Sequence, residues 1–510
     1  MHLPGIVNFI AGPHRTSGKK MVLQALFQHA RQQPANLAII DDTGQYTYEQ
    51  LATMTAGMGM YLKMQTQQPR IGILLPASAG FVVSFYGTLA AGKTVVPINF
   101  LLGEKEINHI IADSGIDTVV TIPILAARLK DTGLNIVDLT KLPKPPSGMP
   151  APSLPTPNPN GLAVIMYTSG TSGLPKGVML TYGNLQSDVE AAILHAQLNG
   201  SHKFLGIIPL FHSTGMLATM VAPVTLGAAT VYIARFSPVA TMKAIREHAI
   251  SVIVAVPSMY GALARLKEAG PKDVESIYAA LSGGEPLPAN IREAFLAKFG
   301  KPIFEGYGLT ETIGPVAFNT PQVHKPGSVG TPIPGVTLQI TDESGNALPG
   351  GENGEVWLKG PMIMKGYFNL PAESAQSLTS DSFFKTGDLG QIDPEGFLHI
   401  TGRKKDLIIV AGEKAVPREI EETLMKHSAV AEAAVLGKKD PSRGEIVVAF
   451  VVPREGQQPK PEDLKEFCRS NGLAAFKVPR EIYFIKDLPR SPTGKILKRV
   501  LAEQLSPTNN

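Results

Sequence analysis

Between residues 21 and 121 the chain repeats one pattern, a stretch of helical apolar spacing followed by a short run of β-branched residues. The spacing predicts helices near 21–33, 48–62, 81–91 and 104–114, and strands near 37–40, 70–75, 94–97 and 118–121. Helices that alternate with short, wholly apolar strands can bury both only in a parallel sheet covered on its faces. The proline-rich stretch 142–160 interrupts this alternation and is expected as a surface connector, because repeated prolines deny both a helix and a central strand. More α/β alternation follows to about residue 304. A β-rich, glycine-punctuated stretch spans 327–400, with turns at 343–346 and 393–396, and suggests a sheet or small barrel. Beyond Gly402 the pattern changes to helices near 417–426 and 461–471 with strands near 430–436, 446–452 and 481–485. At 510 residues the chain exceeds what one hydrophobic core serves. The expected fold is α/β: a large N-terminal domain of α/β layers with a β-rich subdomain, residues 1–402, and a small mobile α+β C-terminal domain, residues 403–510. No internal repeat is evident.

Composition matters mainly for what it excludes. With 44% hydrophobic and 18% charged residues the chain reads as globular, and a net charge of +4 without a long Lys/Arg block gives no footprint for nucleic acid. Cys468 is the single cysteine, which leaves no partner for a disulfide or a thiolate metal cluster and fits a reducing, cytoplasmic setting. The opening MHLPGIVNFIAGPHR has no basic stretch ahead of its apolar one, so residues 1–20 are expected as a loose leader rather than a signal peptide. Residues 213–234 carry no charge over a length that could span a bilayer, but Pro223 and Gly227 divide them. They read better as a buried helix through Met220, a turn at Gly227 and a strand over 229–233, with no transmembrane segment.

The strongest local signal is YTSGTSGLPKG at 167–177, directly after the apolar strand 162–166. Gly170, Gly173 and Gly177 let backbone amides approach an anion, while Thr168, Ser169, Thr171 and Ser172 offer hydroxyl donors and Lys176 adds charge. This is a phosphate loop by composition. It is not a Walker A loop, in which a Ser or Thr after the lysine takes magnesium and opens a helix, because Gly177 follows Lys176.

Together with later strings this motif resembles the adenylate-forming superfamily, which contains acyl-CoA synthetases, aryl-CoA ligases, firefly luciferase and peptide-synthetase adenylation domains. The strings, in the family's order, are PLFHSTGM at 209–216, VPSMY at 256–260, LSGGEPLP at 281–288, EGYGLTE at 305–311, KTGD at 385–388, GRKKD at 402–406 and PRSPTGKI at 489–496. Each alone is weak; their ordered co-occurrence is specific.

The resemblance implies an ATP-dependent acid–thiol ligase. A carboxylate attacks the α-phosphate to give acyl-adenylate and pyrophosphate, and a thiol then displaces AMP. The first step concentrates negative charge on phosphate oxygens and calls for donors and cations aimed at it. By resemblance, Tyr307, between Gly306 and Gly308 and after Glu305, stacks on adenine; Thr310 contacts the α-phosphate; and Glu311 reaches Mg2+, a hard cation satisfied by one or two carboxylates and phosphate oxygens. Gly283, Gly284 and Glu285 resemble the strip along adenine and the acyl carboxylate, and Asp388 with Arg403 the pair that takes the ribose hydroxyls. His212, Thr214, Gly215, Gly283 and Gly308 match positions around the acyl pocket, His212 in a positioning role. Lys495 matches the lysine that reaches the acyl carboxylate and α-phosphate during adenylation. Lys405 matches the hinge, and Ala411, Gly412 and Lys414 lie in the loop that lines the thiol tunnel, so that the active site would form between the domains and rearrange between steps.

Some positions depart from the family's habit. Ala411 replaces a Ser, Gly or Lys, Lys414 and Ala415 stand where Asn and an aliphatic residue are frequent, and SFFKTGD lacks a tryptophan. These bear on how coenzyme A is gripped. The substrate expected is a medium- or long-chain fatty acid, with ATP, Mg2+ and coenzyme A. An aryl acid of the cinnamate type, or an acyl carrier protein as acceptor, are alternatives, and a non-catalytic sensor of acyl-adenylate is the alternative of another class.

Overall fold

The structure is a computed structural model that describes residues 6–8, 21–130, 132–142, 155–156, 158–168, 174–490 and 496–505. Contacts divide the chain into two compact units. One is formed by residues from Val7 to Leu338 with Leu358–Phe384, the other chiefly by Gln339–Trp357 and the residues from Lys385 onward. Residues 339–357 and 385–402, which the sequence reading places in the first domain, thus contact the second unit's residues.

The first unit contains two large sheets. In one, Phe304–Gly308, Ala279–Ser282, Val252–Ala255, Lys203–Gly206, Ala229–Tyr232 and Leu37–Asp41 run parallel in that order. Antiparallel strands finish both edges: Pro315–Phe318 and Thr331–Pro332 on one side, Gly44–Thr47 on the other. In the other sheet Leu162–Thr168, Thr94–Pro97, Arg70–Leu74, Thr118–Thr121 and Asn135–Asp138 are parallel, and Lys176–Thr181 and Gly366–Tyr367 add antiparallel strands at one edge. The helices that cover the sheets start at residues that satisfy orphan amides. Thr47 opens the helix Tyr48–Gln65 by accepting from Gln50 N while Gln50 Oε1 takes Thr47 N at 2.9 Å, a capping box. The core of the nine-stranded sheet packs Leu205, Ile253, Tyr260, Phe295 and Phe299, none more than 2% exposed.

The uncharged stretch from Ser213 is a helix of three parts: Ser213–Met216, a π-helical turn Leu217–Val221, and Ala222–Leu226, closed by Gly227 at φ +72°. The strand Ala229–Tyr232 follows. No helix among the described residues is long and apolar enough to cross a membrane. Of the expected leader, only Ile6–Asn8 is described, and it forms a strand.

The β-rich stretch is an open sheet of Ile6–Asn8, Thr337–Thr341, Gly354–Lys359, Phe384–Ile392 and Leu398–Arg403. Farther along, Glu413–Ala415, Ile408–Val410, Gly444–Pro453 and Val430–Asp440 make a second sheet in the second unit, with Glu481–Phe484 parallel to Gly444–Pro453. Helices Pro417–Met425 and Pro461–Ser470 pack Ile420, Leu424, Leu464 and Cys468 onto one face of it. Leu501 of the helix Lys498–Leu505 packs with Val448 and Phe450. Burial pushes the Cys468 thiol up to about 11, so it behaves as a small apolar core residue.

Candidate active site

The strand Leu162–Thr168 pairs antiparallel with Lys176–Thr181, and Thr168 stands opposite Lys176. The hydroxyl-rich segment therefore joins two strands of one hairpin, unlike a loop that opens a helix. Ser169, Gly170, Thr171, Ser172 and Gly173 lie outside the described residues. At the hairpin's far side the Lys176 ammonium stands 5.7 Å from the centre of the Tyr367 ring, a cation–π distance. The Tyr367 hydroxyl donates to Glu311 Oε1 at 2.9 Å. Burial, and then the neighbouring Glu311 carboxylate, hold the Tyr367 pKa well above its ordinary value, so the phenol keeps its proton and remains a donor. Met364 N donates to the Glu311 carbonyl at 2.8 Å. Lys176 and Glu311 are thus linked through Tyr367, a residue the sequence reading did not single out. Its one signal was an aromatic residue in KGYFNL, too common to notice.

The glycine strip is built from two adjacent parallel strands. Ala279–Ser282 delivers Gly283 and Gly284, and Gly284 has φ +87°, a backbone region that favours glycine. Its neighbour Phe304–Gly308 presents Tyr307, half-buried, between two glycines. A Cβ at Gly308 would land on the Gly314 carbonyl oxygen, so backbone closeness alone requires glycine there. Glu305 is buried, and its Oε1 accepts from Leu287 N at 3.1 Å while its main chain accepts from Asn319 N at 2.9 Å. It ties the 283–287 loop to its strand. Glu285 is half-buried, and Thr310 and Glu311 follow on the turn Thr310–Thr312, both half-exposed.

Beside this strip opens a cavity of about 820 Å³, its mouth included. Ile193, Leu198, Phe204, Leu217, Val254 and Phe318 are among its walls, and the lining contains no charged residue. Thr214, Gly283 and Gly308 line it, as does Tyr307. His212 sits at the N-cap of Ser213–Met216, its ring 4.7 Å from that of Phe211, and Gly215 packs under the Pro209 carbonyl; neither belongs to the lining. Such a lining suits a small organic ligand with an apolar body.

In the second unit, Asp388 on Phe384–Ile392 lies directly across from Arg403 on Leu398–Arg403. Arg403 Nε donates to Asp388 Oδ1 at 2.9 Å, with the Asp388 side chain 4% exposed and that of Arg403 51% exposed. Lys404 holds Glu355 at 3.0 Å, and Glu355 accepts from Gly387 N at 3.2 Å, which fixes the turn before Asp388. Lys405 is exposed on the turn Lys404–Asp406. Ile408–Val410 and Glu413–Ala415 form a hairpin whose two turn residues, Ala411 and Gly412, have φ +51° and +89°. Two positive φ values mark the tight turn that suits a hairpin's twist, and only the first is occupied by a residue with a side chain. Lys414 pairs with Glu343. Lys495 lies outside the described residues.

The sequence profile of the AMP-binding enzyme family matches residues 26–368. The chain belongs to that family. A second profile, the C-terminal domain of AMP-binding enzymes, matches residues 419–495. This AMP-binding enzyme is 34% identical to a long-chain-fatty-acid–CoA ligase of Bacillus subtilis over 96% of each chain. It is 32% identical to a feruloyl-CoA synthase of an Amycolatopsis species, over 92% of this chain and 96% of the relative. Among solved structures, the O-succinylbenzoate coenzyme A synthetase of Bacillus subtilis in complex with ATP and magnesium superposes with a TM-score of 0.84 at 30% identity, covering 94% of this chain and 99% of that one. The chain is an adenylate-forming enzyme of the acyl-CoA synthetase kind, and relatives of similar closeness act on acids of different classes.

Proposed function

We propose that this enzyme activates a medium- or long-chain aliphatic acid with ATP and transfers the acyl group to coenzyme A. The observation that carries the choice of acid is the cavity: apolar, free of charged side chains and continuous with the glycine strip at Gly283 and Gly308. An aliphatic chain gains about 0.8 kcal/mol per buried methylene in such a lining, whereas a second anionic group would be left without a partner.

Each step then has its residues. The acid lies in the cavity with its carboxylate toward Gly283, and Tyr307 stacks on adenine. Asp388 accepts the ribose hydroxyls, with Arg403 orienting it. The hydroxyls from Thr168 to Ser172 and Lys176 donate to the pyrophosphate portion, and Thr310 to the α-phosphate. Glu311 is the carboxylate that would hold Mg2+, an ion that neutralises phosphate charge when bound. Among the described residues no three His, Cys, Asp or Glu side chains converge, and one carboxylate with phosphate oxygens is the donor set such an ion commonly takes. Tyr367 supports this arrangement by fixing the Glu311 carboxylate from one side. Lys495 supplies the cation for adenylation, Lys405 is the backbone pivot, and the Ala411–Lys414 turn serves the thiol step, during which His212 positions the acyl group.

The feruloyl relative favours a second reading, a cinnamate-type acid, because flat glycine walls also accept a ring. A carboxylic acid panel assayed for AMP release with and without coenzyme A tests both. Release with saturated acids, dependent on the thiol for turnover, is expected. Release confined to aryl acids would replace the first reading with the second, and release that coenzyme A leaves unchanged would remove free coenzyme A as acceptor in favour of a carrier protein.

A further inference from the structure

The helix Tyr182–His195 runs beside the cavity, and Ala192 and Ile193 on it belong to the lining. One turn earlier, on the face of Ala192, stands Asp188, which is fully buried. Neither carboxyl oxygen has a hydrogen-bond partner among the described residues. A buried polar group without a partner is uncommon and costly in native proteins. Burial drives the Asp188 pKa well above its ordinary value and so favours the neutral carboxylic acid.

Two residues that line the cavity, Gly314 and Leu217, stand next to this acid. Gly314 has no side chain, and a Cβ there would land on Asp188 Oδ2 and on Leu217 Cδ2. Leu217 begins the π-helical turn, an irregularity that recurs at ligand sites. The carboxyl therefore packs directly behind the lining at Gly314 and Leu217. A second polar atom points the same way, because Ser282 Oγ on the lining itself is buried and has no partner among the described residues. A largely apolar pocket thus has unspent hydrogen-bonding capacity at Ser282.

We propose that Asp188 is a specificity-determining residue, and that the preferred acid carries a hydroxyl or oxo group on its apolar body. A neutral carboxyl both donates and accepts, so it matches an oxygen substituent that an apolar wall alone would reject. This inference rests on the reading of the cavity as the acyl pocket.

The test compares kcat/KM for AMP release with octanoic and dodecanoic acids against the same acids bearing one hydroxyl at successive carbons. The wild-type enzyme is expected to favour one hydroxylated isomer over its parent by about tenfold, the worth of one net hydrogen bond. Asp188→Leu is expected to remove that preference while retaining activity on the parent acid, and Asp188→Asn, which keeps a donor and an acceptor, to retain part of it. No preferred isomer in the wild type overturns the proposal without any variant, as does a preference that Asp188→Leu leaves intact, the result expected if Asp188 merely meets a water. Absence of AMP release with every acid would instead defeat the acyl-CoA synthetase reading of the cavity, so the two failures are distinguishable.

Discussion

Asp388 and Asp188 are both buried carboxyl groups, one in each compact unit, and the protein treats them in opposite ways. Asp388 lies across a strand pair from Arg403 and is held by it at 2.9 Å, an arrangement that keeps a charged oxygen oriented beside a half-exposed guanidinium. Asp188 has no hydrogen bond among the described residues, and burial raises its pKa and favours the neutral form. The contrast teaches that sequence alone does not fix the chemistry of an aspartate. A paired carboxylate suits a polar, charged ligand such as a ribose diol next to phosphates, whereas a neutral carboxyl suits the surroundings of an apolar pocket.

The largest effect that bears on this comparison is expected outside both aspartates. Lys495→Ala removes the cation assigned to adenylation, and losing such a donor costs on the order of a hundred- to a thousandfold in rate. Thioester formation from supplied acyl-adenylate should survive; equal loss of both half-reactions would mean that the polar side of the site is not divided as described. Next in size is Asp388→Ala. Removing a charge-assisted contact is worth roughly 1.5–3 kcal/mol, so titration calorimetry should show ATP and AMP affinity falling about ten- to a hundredfold with little change for the acid. Unchanged nucleotide affinity would remove Asp388 from the site.

Gly314→Ala probes the other carboxyl. Its methyl would collide with Asp188 Oδ2 and Leu217, an overpacking of about 1–3 kcal/mol seen as a lowered midpoint of thermal unfolding. Adding Asp188→Ala should restore part of the loss, and additivity of the two substitutions would show that the groups do not touch. The last effect is a slope. Because burial raises the Asp188 pKa in the folded state, the folded protein holds a proton that the unfolded chain releases above about 4. Relative to Asp188→Asn, the wild type should lose stability as pH rises from about 4 toward the folded pKa. Parallel stability curves for the two proteins would contradict a neutral, unpartnered Asp188.

Much of the scaffold was legible because its signals are local. The strands Thr94–Pro97 and Thr118–Thr121 and the helix Glu104–Ser114 lie where apolar spacing puts them, each a short run whose period and turn residues agree. The strand Lys176–Thr181 was overlooked, since Pro-Lys-Gly reads as a breaker and the apolar run Val178–Leu180 after it is short. At the site, the glycine strip and the Asp388–Arg403 pair were named through ordered motifs. Tyr367 and Asp188 were not. Tyr367 gains its meaning from Glu311, distant in sequence, and Asp188 stands among Gln186, Ser187 and Glu190, where an acid reads as solvated. Only three-dimensional packing reveals that Asp188 faces Gly314 instead of water.

That an apolar and uncharged cavity selects an acid with an apolar body can be tested with one pair of substrates. AMP release in the presence of coenzyme A should be measured with octanoic acid and with octanedioic acid, equal in carbon number and different by one terminal carboxylate. With no charged residue in the lining to receive the second anion, octanoic acid is expected to be favoured by at least about a hundredfold in kcat/KM. Equal rates, or a preference for the diacid, would contradict the account.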